Sequence, residues 1–348
     1  MSPSKTDNAS SSAPTSADKP VLLRQKANEA SVPKIATFKE AMDRIPFLSL
    51  SGLPLTGADG GAHWGYPDYS ENEEFPKWGG VCDSGTRQSP INLSLRGAIK
   101  GVYEKLEGDN HDKTITEASL VNTGHSVQMS DFDVDLELEG GPLKDDYVLE
   151  QIHFHWWSEH TIENVRYPFE MHMVHRNKKY PNMTVANLNK DGLVVMGVLF
   201  HASLERNRVV DDILADFVPI MSYEQINMPI KIKTNFKMTD LVPAITSYIT
   251  YEGSLTTPSC NEVVTWIVLA ETFPIGIDQV EAFKSLEYER GKTLANNYRV
   301  IQKTNDRAVI IVTNEFRKDS GNGSGSLKST GSVTALLVVA GLLFKYFN

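Results

Sequence analysis

Three histidines on two short segments constrain the fold of this chain more than any other feature. His153 and His155 lie in residues 151–156 (Gln-Ile-His-Phe-His-Trp), and His172 lies in residues 170–175 (Glu-Met-His-Met-Val-His). Side chains alternate between the two faces of an extended strand, so His153 and His155 point the same way. His172 can join them from a neighbouring strand. The spacing therefore predicts two adjacent strands that carry three imidazoles on one face.

Three imidazoles converging from two strands predict an open metal site. Zinc takes nitrogen ligands in a tetrahedral arrangement, and three protein ligands leave the fourth position for water, as in catalytic sites. We therefore expect Zn²⁺ at His153, His155 and His172. The alternative for an isolated His-X-His pattern is two unrelated histidines. That interpretation leaves the third histidine and its neighbours unexplained.

The residues beside the histidines fit the same interpretation. Gln151 and Glu170 each precede a predicted ligand by two residues, so each lies on the ligand face of its strand. Ligating imidazoles usually donate their second N–H to such a group, which fixes the ring orientation. Val174 follows on this face and is expected to give the pocket an apolar surface. His175 faces the other way, which favours a buried structural role.

The rest of the folded region is also rich in strand patterns. Alternating or continuous apolar runs predict strands at residues 119–129, 133–139, 147–156, 169–175, 193–201 and 263–269. Helical spacing occurs in residues 209–217 and 280–286, where Asp278 is the expected N-cap of the second helix. The pattern predicts a mainly β single domain with short peripheral helices.

Composition divides the chain into four regions. Residues 1–60 have the composition of a disordered extension, 61–318 form the expected folded domain, 319–332 are a Gly/Ser-rich linker, and 333–348 are a hydrophobic tail. The apolar run 333–344 would reach about 18 Å as a helix, against about 30 Å for a hydrocarbon core.

Small residues, a polar spacer and a short apolar tail match a GPI-anchor signal, although an ordinary terminal helix is the alternative. We expect a lipid anchor and a cell-surface location. Residues 1–60 contain no good signal peptide, so a cytoplasmic location is the alternative.

Charge and cysteine content add two limits. The 348 residues carry a formal net charge of −10, which argues against nucleic acid as a partner. Cys82 and Cys260 are the two cysteines. They are two unrelated thiols in a reducing compartment, or one long-range disulfide in an oxidising one.

The chain from about residue 63 to 317 resembles the alpha-class carbonic anhydrases. The resemblance rests on ordered motifs beside the two histidine segments: Trp64-Gly-Tyr66, Gln88-Ser-Pro-Ile-Asn92, Asn122-Thr-Gly-His125, Ser158-Glu-His-Thr161, Gly253-Ser-Leu-Thr-Thr-Pro258 and Glu262-Val-Val-Thr-Trp266. It implies a large, twisted, mostly antiparallel sheet with zinc at the base of a conical cleft. It also implies reversible hydration of CO2 to bicarbonate and a proton by a zinc-bound hydroxide.

The resemblance further implies a role for each matching residue. His125 corresponds to the proton shuttle, a role that suits an imidazole because its pKa lies near neutrality. Thr256 is expected to accept a hydrogen bond from the hydroxide and to donate its own proton to Glu159. The expected pocket wall comprises Val174, Val195, Leu255, Thr257 and Trp266. The expected water network comprises Tyr66, Thr123 and Gln128. Cys82 and Cys260 match the disulfide of extracellular members.

The chain departs from the family between the two histidine segments. The connection after Trp156 is shorter than the family's by several residues, because Trp157 leads directly into Ser158 and Glu159. A slip of one residue would turn His172 to the wrong face. We expect the register to be kept. The alternatives are a carbonic-anhydrase-like binding module without catalysis, and a hydrolase that uses the same metal centre on esters.

Overall fold

The computed structural model describes residues 64–67, 77–242 and 245–313. The predictions made for residues 1–60, 319–332 and 333–348 lie outside these described residues.

Strands dominate the described part of the chain. They are β1 Asn92–Leu93, β2 Ile99–Lys100, β3 Leu106–Asp109, β4 Thr114–Asn122, β5 Val127–Ser130, β6 Glu137–Gly140, β7 Tyr147–Trp156, β8 Thr161–Ile162, β9 Val165–Arg166, β10 Phe169–Asn177, β11 Leu193–Ser203, β12 Ile230–Lys237, β13 Tyr248–Gly253, β14 Val264–Gly276, β15 Glu287–Glu289, β16 Lys292–Thr293 and β17 Ile310–Val312.

Helices in the same residues are short and peripheral. They are α1 Val81–Ser84, α2 Met183–Ala186, α3 Arg208–Ala215, α4 Met238–Leu241 and α5 Ile277–Phe283, together with 3₁₀ turns at Val218–Ile220 and Tyr223–Gln225. The mainly β prediction is therefore confirmed.

Within the described residues, twelve strands form one mixed sheet. Its order is β12-β4-β5-β7-β10-β11-β14-β13-β17-β2, with β6 added to β7 and β3 added to β6. Most neighbours are antiparallel, but β11–β14 and β17–β2 are parallel. The two histidine-bearing strands, β7 and β10, are central neighbours in this sheet, so both edges of each are paired with other strands.

Two apolar clusters lie on the two faces of these central strands. One contains Phe154 and Trp156 of β7 with Met171 of β10, and the other contains Val174 of β10 with Trp266 of β14. The alternation along each strand explains the division, because successive side chains point to opposite faces. His153, His155 and His172, the predicted metal ligands, share the face of the second cluster.

Three local predictions differ from the structure. Residues 119–129 are not one strand, because the chain turns between β4 and β5 at Gly124, whose φ is 78°. The strand expected at 133–139 begins at Glu137. Asp278 is not an N-cap: α5 begins at Ile277, and the Gln279 side chain accepts the Gly276 N–H at 2.9 Å.

The shortened connection at Trp157 keeps the two histidine strands in register. The Trp157 N–H donates to the Pro168 carbonyl at 2.9 Å, and the Ser158 N–H donates to the Tyr167 carbonyl at 2.8 Å. These bonds continue the ladder beyond β7 and β10, in which His172 pairs with His153. Trp157 reaches this turn with a φ of 63°, a left-handed conformation that costs a non-glycine residue about 1–2 kcal/mol.

A disulfide joins Cys82 in α1 to Cys260 in the loop before β14, across a sequence separation of 178 residues. The Cys260 N–H donates to the Thr257 carbonyl at 2.8 Å. The bond therefore ties α1 to the loop that carries Thr256.

Candidate metal centre and active site

The three predicted metal ligands converge in the structure. His153, His155 and His172 each offer a ring nitrogen, and these nitrogens lie within 4.8 Å of one another. His155 and His172 are buried, and His153 is half-buried. The pairing of β7 with β10 brings them together, because His172 lies directly opposite His153.

Hydrogen bonds on β7 determine which nitrogen of each imidazole faces this centre. The His153 Nδ1–H donates to Gln151 Oε1 at 2.9 Å, and the His155 Nδ1–H donates to the Asn297 carbonyl at 2.6 Å. A neutral imidazole has one N–H, so each Nε2 keeps its lone pair. The Nε2 of His155 is buried and has no hydrogen-bond partner among the described residues.

His172 presents its other nitrogen to the same centre. Its Nε2–H donates to Glu170 Oε1 at 2.8 Å, which leaves the Nδ1 lone pair for a ligand. Gln151 and Glu170 therefore lie where the sequence predicted them, beside the imidazoles of the residues two positions later. The resulting donor set, two Nε2 atoms and one Nδ1 atom, fits zinc.

Burial keeps the imidazoles of His153 and His155 in the neutral form that binds metal. Burial, followed by the nearby His155 and His172, holds the pKa of His153 well below its ordinary value. Burial likewise lowers the pKa of His155, although Glu159 acts in the opposite direction. Metal ligation requires neutral imidazole, so the folded protein holds these two ligands ready at neutral pH.

Glu170 links the centre to a second buried histidine. His160 Nδ1–H donates to Glu170 Oε1 at 2.7 Å, and His160 Nε2 lies 2.7 Å from the Tyr251 hydroxyl. Burial acts to raise the pKa of Glu170, but His160 and His172 hold it well below its ordinary value. One ligand atom each from His160, Glu170 and His172 also lie within 4.8 Å of one another, close enough to hold a metal ion. Because both nitrogens of His160 are already hydrogen-bonded, we assign this group to a hydrogen-bond network.

Glu159 lies directly beside the metal-facing nitrogens. Its Oε1 accepts the Arg299 backbone N–H at 2.8 Å. Its Oε2 lies 3.6 Å from His155 Nε2 and 3.9 Å from His172 Nδ1, and has no hydrogen-bond partner among the described residues. Thr256 is buried in the neighbouring loop, but no hydrogen bond between Thr256 and Glu159 is present in this part of the chain. Its predicted contact with Glu159 stays a prediction.

The predicted apolar wall is contiguous in the sheet. Val174 pairs with Val195, and Val195 pairs with Trp266 across β10, β11 and β14. The Trp266 ring centroid lies 4.8 Å from that of His172, and Leu255 packs against the same cluster. Thr257 is half-buried beside them. An apolar surface therefore begins next to the metal-facing imidazoles.

His125 lies at the turn between β4 and β5. Its ring stacks on Trp64 with centroids 3.7 Å apart, and the Tyr66 ring centroid lies 6.3 Å away. A cavity of about 530 Å³ borders His125, Tyr66 and Thr123. The Thr123 hydroxyl donates to the Ser126 carbonyl at 3.0 Å and accepts the Ser126 N–H at 3.0 Å, so it closes the turn.

Gln128 is half-buried and lies opposite His153 on β5. Tyr66 and Thr123 border the same cavity as His125, and Gln128 pairs with His153. Their roles in a water network stay predictions.

The sequence interpretation missed the segment Asn297–Arg299, which has no regular secondary structure. Asn297 provides the carbonyl for His155, and its Oδ1 accepts the Trp156 N–H at 2.7 Å. Its Nδ2 donates to the His125 carbonyl at 3.1 Å. No periodicity marks these residues, because they act through backbone groups and through contacts with remote parts of the chain.

Comparison with known proteins agrees with this geometry. Residues 70–313 match the profile of the eukaryotic-type carbonic anhydrases. The chain is 35% identical to human carbonic anhydrase 5A, mitochondrial, over 69% of its own length and 82% of the relative. It is 33% identical to the putative carbonic anhydrase 3 of Caenorhabditis elegans over 72% of its length and 99% of the relative. It is 34% identical to rat carbonic anhydrase 5B, mitochondrial, over 69% and 77%.

The same comparison corrects the predicted location. The expectation of a GPI-anchored, extracellular protein is wrong, because the human and rat relatives at 34–35% identity are named as mitochondrial enzymes. Among the described residues, no helix is both long enough and apolar enough to cross a membrane. The tail on which the anchor prediction rested lies outside those residues.

Proposed function

Because the chain belongs to the eukaryotic-type carbonic anhydrase family, we propose that it catalyses the reversible conversion of CO2 and water to bicarbonate and a proton at a zinc centre. Membership of this family supports the assignment as a lyase that acts on CO2 and bicarbonate. The observation that carries the finer proposal is the convergence of three imidazole lone pairs from His153, His155 and His172 within 4.8 Å.

These three residues would hold the metal. Three nitrogen ligands match zinc and leave one coordination position open, which is the arrangement of catalytic zinc sites. Zinc in such a site supplies Lewis-acid chemistry that makes water a nucleophile near neutral pH, an effect for which carbonic anhydrases are the standard example. The orphaned Nε2 of the buried His155 supports this proposal, since a buried nitrogen without a partner is costly unless it has a ligand.

Glu159 and Thr256 would orient the reacting water. The Arg299 amide fixes one carboxylate oxygen of Glu159, and the other oxygen is available to accept the Thr256 hydroxyl proton. A threonine hydroxyl that donates to a carboxylate can only accept from water. The water must then donate to Thr256, which leaves a lone pair of its oxygen free to attack the CO2 carbon.

The apolar wall would hold the substrate beside that lone pair. CO2 has no net dipole, so Val174, Val195, Leu255 and Trp266 can bind it without a polar partner. A small apolar pocket also favours CO2 over an ester. The half-buried Thr257 would contribute a polar edge from the same loop.

His125 would carry the released proton to buffer. Its imidazole stacks on Trp64 at the border of the 530 Å³ cavity, where a proton could pass to solvent. Histidine suits a proton relay, because its ordinary pKa lies near the working pH. Tyr66, Thr123 and Gln128 would position intervening water.

The experiment is stopped-flow CO2 hydration with the full-length, zinc-loaded protein. We expect His172→Ala to abolish catalysis, while His201→Gln, which removes an imidazole bonded to Thr272 on a distant part of the sheet, should retain it. Equal rates for wild type and His172→Ala would reject a three-histidine metal mechanism. Absence of activity in wild type with full zinc occupancy would favour the non-catalytic module instead.

A further inference from the structure

The segment Asn297–Arg299 holds two groups of the candidate site through its backbone. The Asn297 carbonyl accepts the His155 Nδ1–H, and the Arg299 N–H donates to Glu159 Oε1. The segment has no regular secondary structure, so no strand ladder fixes these backbone groups. Side chains must hold the segment in place. Asn297 bonds to the backbone of β7 and of the His125 turn, and Arg299 bonds to the opposite side, towards the disulfide.

The Arg299 guanidinium is buried and hydrogen-bonded to three acceptors from another part of the chain. Its Nη1 donates to Gln88 Oε1 at 2.9 Å and to the Ser89 carbonyl at 2.7 Å, and its Nη2 donates to the Cys82 carbonyl at 2.7 Å. The same group lies over the Trp78 ring, 5.2 Å from its centroid. Arginine is suited to such multiple, directional contacts because its planar fork carries five N–H donors.

These acceptors connect Arg299 to both ends of the disulfide. Cys82 accepts directly from the guanidinium, and Gln88 Nε2 donates to the Cys260 carbonyl at 3.1 Å. On the other side, the Cys260 N–H donates to the Thr257 carbonyl, in the loop that carries Thr256. The disulfide and Arg299 thus tie the Glu159 anchor and the Thr256 loop to one helix, α1.

We infer that Arg299 is a positioning residue for catalysis: its guanidinium, pinned to the disulfide-bearing helix, fixes the backbone amide that orients Glu159 against Thr256. The inference rests on the proposed function of Glu159 and Thr256. It follows from where Arg299 lies, since it makes no contact with a metal-facing nitrogen and acts through Glu159.

Three variants test the role: Arg299→Gln, Arg299→Lys, and Arg290→Gln as a matched control at an exposed arginine paired with Glu224. Arg299→Gln should lower kcat by about 10- to 100-fold, because a misplaced catalytic group costs this much even when the change is remote. KM and zinc stoichiometry should stay near wild type, since the ligands and the apolar wall are untouched. Arg299→Lys, which keeps the charge, should recover part of kcat, and Arg290→Gln should match wild type.

Reduction of the disulfide provides an independent measurement on the same proteins. Mild reduction of wild type should also lower kcat, and in Arg299→Gln it should add little, because coupled changes are not additive. If reduction lowers kcat by the same factor in Arg299→Gln as in wild type, the inference is overturned. A kcat of Arg299→Gln equal to that of Arg290→Gln, or a parallel loss of zinc and kcat, would overturn it as well.

The absorption spectrum of the cobalt-substituted protein separates this inference from the proposed function. Glu159 Oε2 lies 3.6 Å from the His155 nitrogen that faces the metal, so its displacement should shift the cobalt bands in Arg299→Gln and leave them unchanged in Arg290→Gln. If wild type does not hydrate CO2, the proposed function fails while this comparison still decides the positioning role. Should Arg299→Gln fail to fold, Arg299→Lys and reduced wild type carry the same spectral test. Unchanged bands in both would refute the role.

Discussion

The Nδ1 atom of His155 lies 2.6 Å from the carbonyl oxygen of Asn297, 142 residues further along the chain. Because the acceptor is so remote in sequence, the bond forms only when the segment around Asn297 has folded against β7. The ring orientation that would present Nε2 to the proposed metal therefore depends on remote structure. Metal binding should accordingly depend on the whole fold.

We expect zinc to stabilise the native protein. At free zinc about 100 times its dissociation constant, the free energy of unfolding should rise by about 3 kcal/mol, because the unfolded chain lacks the assembled site. Differential scanning calorimetry of the metal-free protein, with and without zinc, measures this gain. His172→Ala should lose the gain and His201→Gln should keep it. An equal gain in both variants would place the metal elsewhere.

Glu159 and Thr256 should act as one unit in catalysis. Thr256→Ala and Glu159→Gln should each lower kcat/KM by about 100-fold, since each disrupts the orientation of the reacting water. The double variant should lose little more than either single variant. Stopped-flow rates of the zinc-loaded proteins complete this cycle. Strictly multiplicative losses would mean that the two side chains act independently.

His125 should limit turnover only when buffer is scarce. His125→Ala should lower kcat by about 100-fold in weak buffer, because general acid–base groups typically contribute at least that much, and added imidazole should restore it. kcat/KM should change little, as CO2 conversion precedes the transfer to buffer. Isotope exchange between CO2 and water at chemical equilibrium gives the proton-transfer rate directly. A loss that imidazole fails to rescue would point to a structural role.

A buried histidine pair should make the fold sensitive to acid. Burial, then the nearby His111, lowers the pKa of His175 to about 3, and burial also lowers the pKa of His111 against the opposing effect of Asp109 and Asp112. Both Nε2 atoms lack a hydrogen-bond partner among the described residues. Each imidazole is therefore held neutral in the folded state, and protonation favours the unfolded chain.

The lowered pKa of His175 sets the direction and the size of the loss of stability in acid. The contribution of His175 to stability is complete above its unfolded pKa of about 6.5, and it falls as the pH decreases towards the folded value. At pH 5 the loss for His175 is about 2 kcal/mol. The free energy of unfolding, measured by urea denaturation of the metal-free proteins, should fall less between pH 7 and pH 5 in His175→Gln than in wild type or His201→Gln. Parallel curves for all three proteins would contradict this prediction.

The sequence was sufficient for what depends on local alternation. The pairing of β7 with β10, the shared face of His153, His155 and His172, and the places of Gln151 and Glu170 all follow from a period of two residues. The turn at Gly124 was missed, because the alternation of residues 119–129 was followed across the polar run Asn122–Ser126, which is itself a turn signal.

The groups that orient the site were beyond local reasoning. Asn297 and Arg299 reach the centre from an irregular segment, and their contacts use backbone atoms that every residue has. The side chains of Asn297 and Arg299 hold the segment through partners that are remote in sequence, which no local pattern reveals. Only the tertiary arrangement decides which amide faces Glu159.

The short separation between the metal-facing histidines has a consequence for how the protein folds. All three lie between residues 153 and 172, on strands that are consecutive neighbours in the sheet, so their approach closes only a small loop of chain. Loop closure of this kind carries a low entropic cost and can occur early. The segment from Asn297 to Arg299 can reach β7 only by closing a much longer loop of chain. Hydrogen exchange during refolding should therefore protect β7 and β10 before the Arg299 amide, and the imidazoles should meet before the groups that orient them arrive.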